Sequence, residues 1–314
     1  MMSADTPIGY ILFGDFGILT MSPTYLLGML FPLITIFYFV TTCLEASGIF
    51  AKIANKCNKT LAFFGLSGYS LFPMLMGLGC VTVALASLDT VKNKREKFIA
   101  SALLCILVPC SAQVAIIIAL AFLIGPAYFL FYVFVIASTF LVLSVTLNAL
   151  TPKEYQSPCC FHEHPLKLPE FGKALKRAVI SGISFLKETA LPFMAGSVVV
   201  SILKFLNVFA VFSAWLSPFT EGFLRLPREA ANLFILSILK RDLGAAGFLA
   251  VIQSGAFSSG ELVVSLIIMT LFVPCFASVV ILLKQEKLPT AISIWAGSFV
   301  ISMIVGKLAS LLIL

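Results

Sequence analysis

Val108–Gln113, with the sequence VPCSAQ, interrupts a segment that is otherwise almost entirely apolar. Two other interruptions have a similar composition, Gly77–Cys80 (GLGC) and Val273–Ser278 (VPCFAS). Proline breaks a helix, and irregular backbone at membrane depth is tolerated only where protein or a water-filled cavity surrounds it. The three stretches therefore predict broken helices that line a pathway through a membrane.

The composition indicates an integral membrane protein. Of the 314 residues, 60% are hydrophobic and 11% are charged, whereas soluble domains have about 25% charged residues. Apolar runs of the roughly 20 residues needed to cross a bilayer recur along the chain. The net charge of +7 comes from basic residues in short polar stretches, and no G-x-x-x-x-G-K-[ST] motif occurs. We therefore expect a multi-pass protein that is not an enzyme and binds neither a cofactor nor nucleic acid.

The order of apolar and basic segments predicts an all-α membrane fold in four parts. These parts are an interfacial segment (1–24), a first repeat (25–150), a cytoplasmic loop (151–181) and a second repeat (182–314). Each repeat is expected to contain three spanning helices and one interrupted or re-entrant helical segment. The expected spans are residues 23–44, 98–124, 126–150, 183–206, 261–283 and 290–314.

The segment 61–88 is apolar but contains four glycines and a proline, and both of its flanks are basic. A stretch with Lys52, Lys56 and Lys59 precedes it, and residues 89–97 follow it. Since cytoplasmic loops are enriched in lysine and arginine, both flanks are expected to be loops on that side. The segment is then a re-entrant hairpin; the alternative is an ordinary kinked span.

The two halves of the chain contain a repeated sequence. Val108–Ile116 (VPCSAQVAI) and Val273–Ile281 (VPCFASVVI) agree at six of nine positions. The basic stretches place the start of the first half outside and the start of the second half inside, which predicts inverted repeats. Inverted repeats with broken helices at the membrane midplane are typical of secondary transporters. The alternative is that Pro-Cys pairs recur by chance in an apolar sequence.

Cys80, Cys110 and Cys275 are the candidate metal ligands at the three interruptions. Each thiol lies beside backbone that glycine or proline removes from regular helical hydrogen bonding, and Ser111 and Gln113 add a hydroxyl and an amide. Thiolate combined with carbonyl and hydroxyl oxygen suits a borderline divalent cation such as Fe2+ better than Na+ or Mg2+. The alternative is that the cysteines pack as small apolar residues.

Two other groups are candidate cation sites. Glu229 lies in a second interrupted segment, where it could attract a cation or form a salt bridge with Arg228 or Arg241. The polar loop of residues 151–181 carries thiol and imidazole groups within a few positions of one another. These groups could capture a metal on the cytoplasmic side, or they belong to an unstructured surface loop. They are Cys159, His162 and His164.

Seven motifs in order resemble the membrane domain of the FeoB ferrous iron transporters, which contains two Gate or nucleoside-recognition repeats. The motifs are 12–21 (LFGDFGILTM), 77–82 (GLGCVT), 94–100 (KREKFIA), 108–113 (VPCSAQ), 226–231 (LPREAA), 241–247 (RDLGAAG) and 271–275 (LFVPC). The resemblance implies Fe2+ as substrate, Cys80, Cys110 and Cys275 as pathway residues, and the bacterial cytoplasmic membrane as location. Val81 and Thr82 depart from the family's Gly-Cys-Asn-Val-Pro-Ala variant.

FeoB proteins usually begin with a cytoplasmic GTPase domain and a first span, and this sequence shows neither. The resemblance therefore implies a split system, with GTP bound by a separate GTPase polypeptide and a small FeoA-like protein as a further partner. Self-association is left open. The other functions considered are a Gate-type carrier of a nucleoside or another solute, and a membrane scaffold that transports nothing. A nucleoside site should offer aromatic and amide side chains, whereas the interrupted segments offer mainly thiols.

Overall fold

A computed structural model describes residues 26–28, 31–91, 93–151, 170–206, 211, 213–214, 217–218, 220–239, 241–255, 257–272 and 275–314. These residues form helices and turns, and no β-strand occurs among them, which confirms the predicted all-α fold. The helices are α1 (Phe31–Ala46), α2 (Ile49–Phe63), α3 (Leu71–Gly77), α4 (Val81–Ser87), α5 (Lys94–Ile106), α6 (Ser111–Leu123), α7 (Pro126–Leu150), α8 (Phe171–Phe205), α9 (Glu229–Leu239), α10 (Arg241–Ser254), α11 (Ser259–Leu271), α12 (Phe276–Gln285) and α13 (Leu288–Ile313).

The lengths and hydropathies of the helices are those of a membrane protein. Within the described ranges, three helices are long and apolar enough to cross a membrane, namely the helix that ends at Ala46, α7 and α13. Two further pairs are bent at short breaks: α2 and Gly68–Gly77 by 109°, and α5 and α6 by 45°. If each bent pair is one span, the number rises to five.

The structure confirms some of the predicted helix boundaries and corrects others. Helix α7 coincides with the predicted span 126–150, because Gly125 has a φ of 83° and Pro126 is suited to the first turn. Two basic stretches that were expected to be loops are helical: the three lysines before segment 61–88 lie on α2, and α5 begins at Lys94. Lysine favours exposure but is also a good helix former, so its presence does not indicate a loop. Helix α8 begins at Phe171, before the expected residue 183.

The spans predicted at residues 98–124 and 261–283 each consist of two helices. Helix α5 ends at Ile106 and α6 begins at Ser111, while α11 ends at Leu271 and α12 begins at Phe276. Pro109 lies in the first break, where it has no N–H to donate and its ring would collide with the preceding turn of a continuous helix. The predicted interruptions at the two Pro-Cys sequences are therefore confirmed, and they are breaks rather than kinks.

The first of two compact units contains residues 1–97 and 152–208. Helix α8 packs along α1. Gly182 allows the two helices to approach, because a Cβ at that position would lie 3.0 Å from the Thr35 hydroxyl oxygen. After α2 the chain reverses through Gly65, which has a φ of 76°, into a 3₁₀ turn (Gly68–Ser70) that leads to α3.

The second unit contains residues 98–151 and 209–314, and α11 is its central helix. All residues from Gly260 to Leu271 are buried except Glu261, as expected for a core helix that is apolar on every side. Helix α11 packs against α7, α9 and α13. Helices α9 and α10 form a helical hairpin, and α10 is the helix of this hairpin that packs against α6.

The division into two inverted repeats stays a prediction. The predicted interfacial segment 1–24 and the loop residues Cys159, His162 and His164 lie outside the described residues.

Candidate functional site

The three candidate cysteines share one position in the secondary structure. Cys80, Cys110 and Cys275 stand immediately before the first residues of α4, α6 and α12, with ψ angles of 115°, 170° and 157°. Each of their carbonyl oxygens accepts the first helical hydrogen bond, from the amide four residues ahead, at 2.9–3.1 Å. Serine, threonine, aspartate and asparagine are preferred at this position, and cysteine is not. Thiol sulfur is a ligand of borderline divalent cations, so the three positions remain the candidate metal ligands.

Cys80 lines an apolar crevice within the first unit. Cys80 is half-buried, and Met76 places a second sulfur-containing side chain in the same wall. Gly79 is required beside the crevice, because a Cβ there would lie 2.7 Å from the ring of Phe37. The remaining lining residues are Leu33, Ile34 and Val83. Thiol and thioether sulfur are soft donors that bind borderline and soft cations better than hard ones.

Cys110 is held by Gln113, whose side chain is almost completely buried. The Gln113 Oε1 atom accepts a hydrogen bond from the Cys110 amide at 3.1 Å, and its Nε2 donates to the Met269 carbonyl at 2.5 Å. Met269 lies in the last turn of α11, where helical carbonyls lack intrahelical partners. Gln113 thus connects the start of α6 to the end of α11. Ser111, which was predicted as a weaker ligand, is the half-buried first residue of α6.

A second buried polar contact lies near the same end of α11. The hydroxyl groups of Tyr132 and Thr270 are 3.1 Å apart, and Thr270 also donates to the Leu266 carbonyl at 2.8 Å. Both side chains are at least 95% buried. Together with Gln113 they attach α6 and α7 to the last turn of α11, directly before the break at Cys275.

Cys275 has a hydroxyl partner. Its sulfur lies 3.5 Å from the Ser278 Oγ, and that hydroxyl donates to the Cys275 carbonyl at 2.9 Å. Ser278 is fully buried, whereas Cys275 is half-buried. The break therefore presents a partly accessible thiol whose surroundings are fixed by the first turn of α12.

The candidate ligands are divided between the two units. Cys80 belongs to the first, and Cys110 and Cys275 belong to the second. In the portion of the chain that the structure describes, no three His, Cys, Asp or Glu side chains gather into a metal-binding group. The assignment of the cysteines as metal ligands stays a prediction.

Glu229 is exposed as the first residue of α9. Arg228, one of its two predicted salt-bridge partners, instead forms a salt bridge to Glu221, with Nε and Oε1 2.5 Å apart. A carboxylate in the first turn interacts favourably with the helix dipole. The position of Glu229 is compatible with attraction of a cation from solvent, and that role also stays a prediction.

The hairpin of α9 and α10 depends on Gly244, which lies within the 241–247 motif. A Cβ at this position would lie 1.9 Å from the Oγ and 2.8 Å from the Cα of Ser237. We expect Gly244→Ala to lower the free energy of unfolding by about 2 kcal/mol or more, because the Ser237 backbone would have to move. Thermal unfolding of the purified chain in detergent measures the effect. Gly297→Ala is the matched control, since nothing lies within 4 Å of its added Cβ; equal midpoints for the two variants would contradict the expectation.

The role of Glu96 was not predicted from the sequence. This carboxylate is 92% buried, and its Oε1 accepts hydrogen bonds from the Ser67 amide at 2.7 Å, from the Ser67 hydroxyl at 2.6 Å and from the Ser70 hydroxyl. The Gly68 amide of the same turn donates to Asn58 Oδ1 at 3.0 Å. These bonds fix the turn between α2 and α3, where the chain bends by 109°. The only feature of the sequence that could have indicated this role is that Glu96 is the single carboxylate within the basic residues 94–97.

The described residues form an apolar, all-α structure in which helices are broken at thiol-bearing positions, and broken helices also occur in membrane transport proteins. Residues 27–123 match the Gate family, described as nucleoside recognition. The Fe(2+) transporter FeoB of Staphylococcus aureus (strain COL) is 32% identical over 85 residues, which are 27% of this chain and 13% of that protein. Residues 27–123 are therefore similar to the Gate family, and part of the chain is similar to the FeoB transporters, as its motifs predict.

Two further relatives extend this finding. The Fe(2+) transporter FeoB of Helicobacter pylori is 24% identical over 174 residues, covering 54% of this chain and 27% of that protein. A Porphyromonas gingivalis protein named as a fusion of Fe(2+) transport protein A with FeoB is 34% identical over 90 residues, covering 29% of this chain and 10% of the fusion. The matches thus span between a tenth and about a quarter of the relatives' own lengths. No solved structure matches the chain.

Proposed function

We propose that the chain is the membrane permease of a ferrous iron transport system in the bacterial cytoplasmic membrane. The observation that carries the proposal is the recurrence of a cysteine directly before a helix that follows a break, at Cys80, Cys110 and Cys275. The names of the related proteins support Fe2+ as the transported ion.

The chemistry of the three positions suits transient binding of Fe2+. A cysteine sulfur can replace a water molecule of the hydrated ion, and sulfur ligands suit a borderline divalent cation such as Fe2+. Conduction requires binding that is favourable enough for entry and weak enough for release. Separate sites with one or two sulfur ligands meet this requirement better than a closed cage of four ligands would.

A separate GTPase polypeptide is the proposed source of energy coupling. In this proposal the partner binds GTP, as the resemblance of the motifs to the FeoB proteins implies. The fusion of transport protein A with FeoB in a related protein supports a small FeoA-like protein as a second partner. Omitting the GTPase from a reconstituted system should reduce uptake; full uptake by this chain alone would contradict the split arrangement.

Single cysteine substitutions test the proposal. We expect Cys80→Ser, Cys110→Ser and Cys275→Ser each to lower the uptake of radioactive Fe2+ into proteoliposomes that contain the GTPase. A loss of about tenfold per site would correspond to about 1.4 kcal/mol of ion binding. Cys43→Ser and Cys57→Ser are the matched controls, because these half-buried cysteines lie inside α1 and α2 rather than at a helix start. Uptake equal to the wild type in all three variants would reject the ligand assignment.

The description of the matched family keeps a second candidate function open. A nucleoside is the alternative substrate, because the Gate match is described as nucleoside recognition. Uptake of a labelled nucleoside that is insensitive to the three cysteine substitutions, together with no Fe2+ uptake, would favour this alternative. Absence of both activities would indicate a scaffold subunit.

A further inference from the structure

Helix α2 presents three lysines on one side. Lys52, Lys56 and Lys59 are separated by four and three residues, a spacing that places them on a common helix face, and all three are exposed. Across the described ranges of the chain, none of their ammonium groups forms a salt bridge. The face therefore carries three positive charges that the described residues do not neutralise.

Large apolar side chains share this exposed face. Ile49, Ile53 and Phe63 are 41%, 47% and 63% exposed, respectively. Ile49, Ile53 and Lys56 follow one another at spacings of four and three residues, so they form one continuous stripe. Helices with this mixture of lysine and large apolar residues lie at the boundary between headgroups and acyl chains, where the aliphatic part of lysine extends toward the phosphates.

The opposite face of α2 is fixed by packing within the first unit. Phe50 and Ala54 are 8% and 0% exposed, and the Phe50 ring contacts the Phe72 ring edge-on at 5.8 Å. A Cβ on Gly68 would lie 2.9 Å from the Ala54 carbonyl oxygen, so the turn before α3 packs closely on α2. The helix cannot rotate its lysines inward without loss of these contacts.

Helix α2 follows a candidate membrane span almost directly. Helix α1, the apolar candidate span, ends at Ala46, and only Ser47 and Gly48 separate it from α2. Gly48 makes the turn in a left-handed conformation with a φ of 72°. Because two residues span only about 7 Å, α2 begins close to the level at which α1 leaves the bilayer.

We infer that α2 is an interfacial helix whose lysine face binds the phosphate groups of anionic phospholipids. Ile49, Ile53 and Phe63 enter the outer part of the acyl region, and the three ammonium groups contact the headgroups above them. A lipid surface fits this face better than an acidic protein surface would, because isoleucine and phenylalanine are interleaved with the lysines at the end of a span. The site does not depend on the ion that the chain transports.

Native mass spectrometry of the full chain released from nanodiscs tests this inference. The discs contain equal amounts of phosphatidylglycerol and phosphatidylcholine, and the measured quantity is the ratio of the two lipids retained. We expect an excess of phosphatidylglycerol on the wild type, reduced by about fivefold for each lysine removed at low salt. The preference should weaken at 1 M salt, where the Debye length falls to about 3 Å.

Substitutions of the lysines test whether the lysine face of α2 causes the preference for phosphatidylglycerol. Lys52→Gln/Lys56→Gln should lose the preference, whereas Lys284→Gln/Lys287→Gln, which removes two exposed lysines elsewhere, should keep it. Lys52→Arg/Lys56→Arg/Lys59→Arg retains the charges and should also keep the preference. Circular dichroism establishes that each variant is folded. An unchanged lipid ratio in Lys52→Gln/Lys56→Gln/Lys59→Gln overturns the inference, and loss of an acidic partner protein by that same variant would identify a protein-docking surface instead.

Discussion

Glu96→Ala is expected to destabilise the chain by about 3–5 kcal/mol, because three buried hydrogen-bond donors would lose their acceptor at once. The Ser67 amide, the Ser67 hydroxyl and the Ser70 hydroxyl all donate to the same carboxylate oxygen. Ser70 is fully buried, so water cannot readily replace the lost acceptor. The midpoint of thermal unfolding, followed by circular dichroism of the purified chain in detergent, measures the effect.

Two further variants test whether loss of the buried hydrogen bonds causes the destabilisation. Glu170→Ala removes an exposed carboxylate that pairs with Lys173 at 2.7 Å, and such surface pairs contribute about 0–1 kcal/mol. Glu96→Gln keeps an oxygen that can accept from all three donors but removes the negative charge that strengthens these hydrogen bonds, so its midpoint should lie between those of the wild type and Glu96→Ala. If Glu96→Ala unfolds at the same temperature as Glu170→Ala, the carboxylate does not stabilise the bend between α2 and α3.

Gln113→Leu is expected to cost about 2–4 kcal/mol, since it leaves a partly buried amide and a buried carbonyl without their Gln113 partner. The two groups are the Cys110 N–H at the start of α6 and the Met269 carbonyl at the end of α11. Leucine has nearly the same size as glutamine, so loss of hydrogen bonding rather than a cavity dominates the change. Thermal unfolding again provides the measurement, with the exposed Gln253→Leu as the matched control.

The same substitution separates two roles for Gln113. If the side chain acts only as a ligand of the transported ion, Gln113→Leu would abolish Fe2+ uptake and leave the unfolding midpoint unchanged. If it connects the two helices, the midpoint falls. Gln113→Glu should still accept from the Cys110 amide, but its carboxylate would face the Met269 carbonyl, and stability should decrease for that reason.

Local features of the sequence predicted the places where helices begin and break. Pro109 has no amide hydrogen, and its ring excludes a continuous helix, so the break between α5 and α6 follows from one residue. Gly125 and Pro126 likewise define the start of α7 through their allowed φ angles. These effects act within about one helical turn, which is why they can be derived without knowledge of the fold.

The helicity of the basic stretch in α2 was not predicted. Its lysines indicate only that one side is exposed. The helix is positioned by the contact of Phe50 with Phe72 of α3 and by the close packing of Ala54 on Gly68 of the turn before α3. The partners of Glu96 were equally hidden, because Ser67 and Ser70 lie 29 and 26 positions away in the chain. No local periodicity connects residues at such separations.

The sequence alone therefore determined the class of protein, its apolar helices, the three breaks and the cysteines beside them. Composition and local stereochemistry are sufficient for these properties. Only the tertiary structure showed that Glu96 closes the bend after α2, that Gln113 connects α6 to α11, and that the lysines of α2 share one exposed face. Each of these depends on which side of a helix is buried and on contacts between distant segments, and long-range packing decides both.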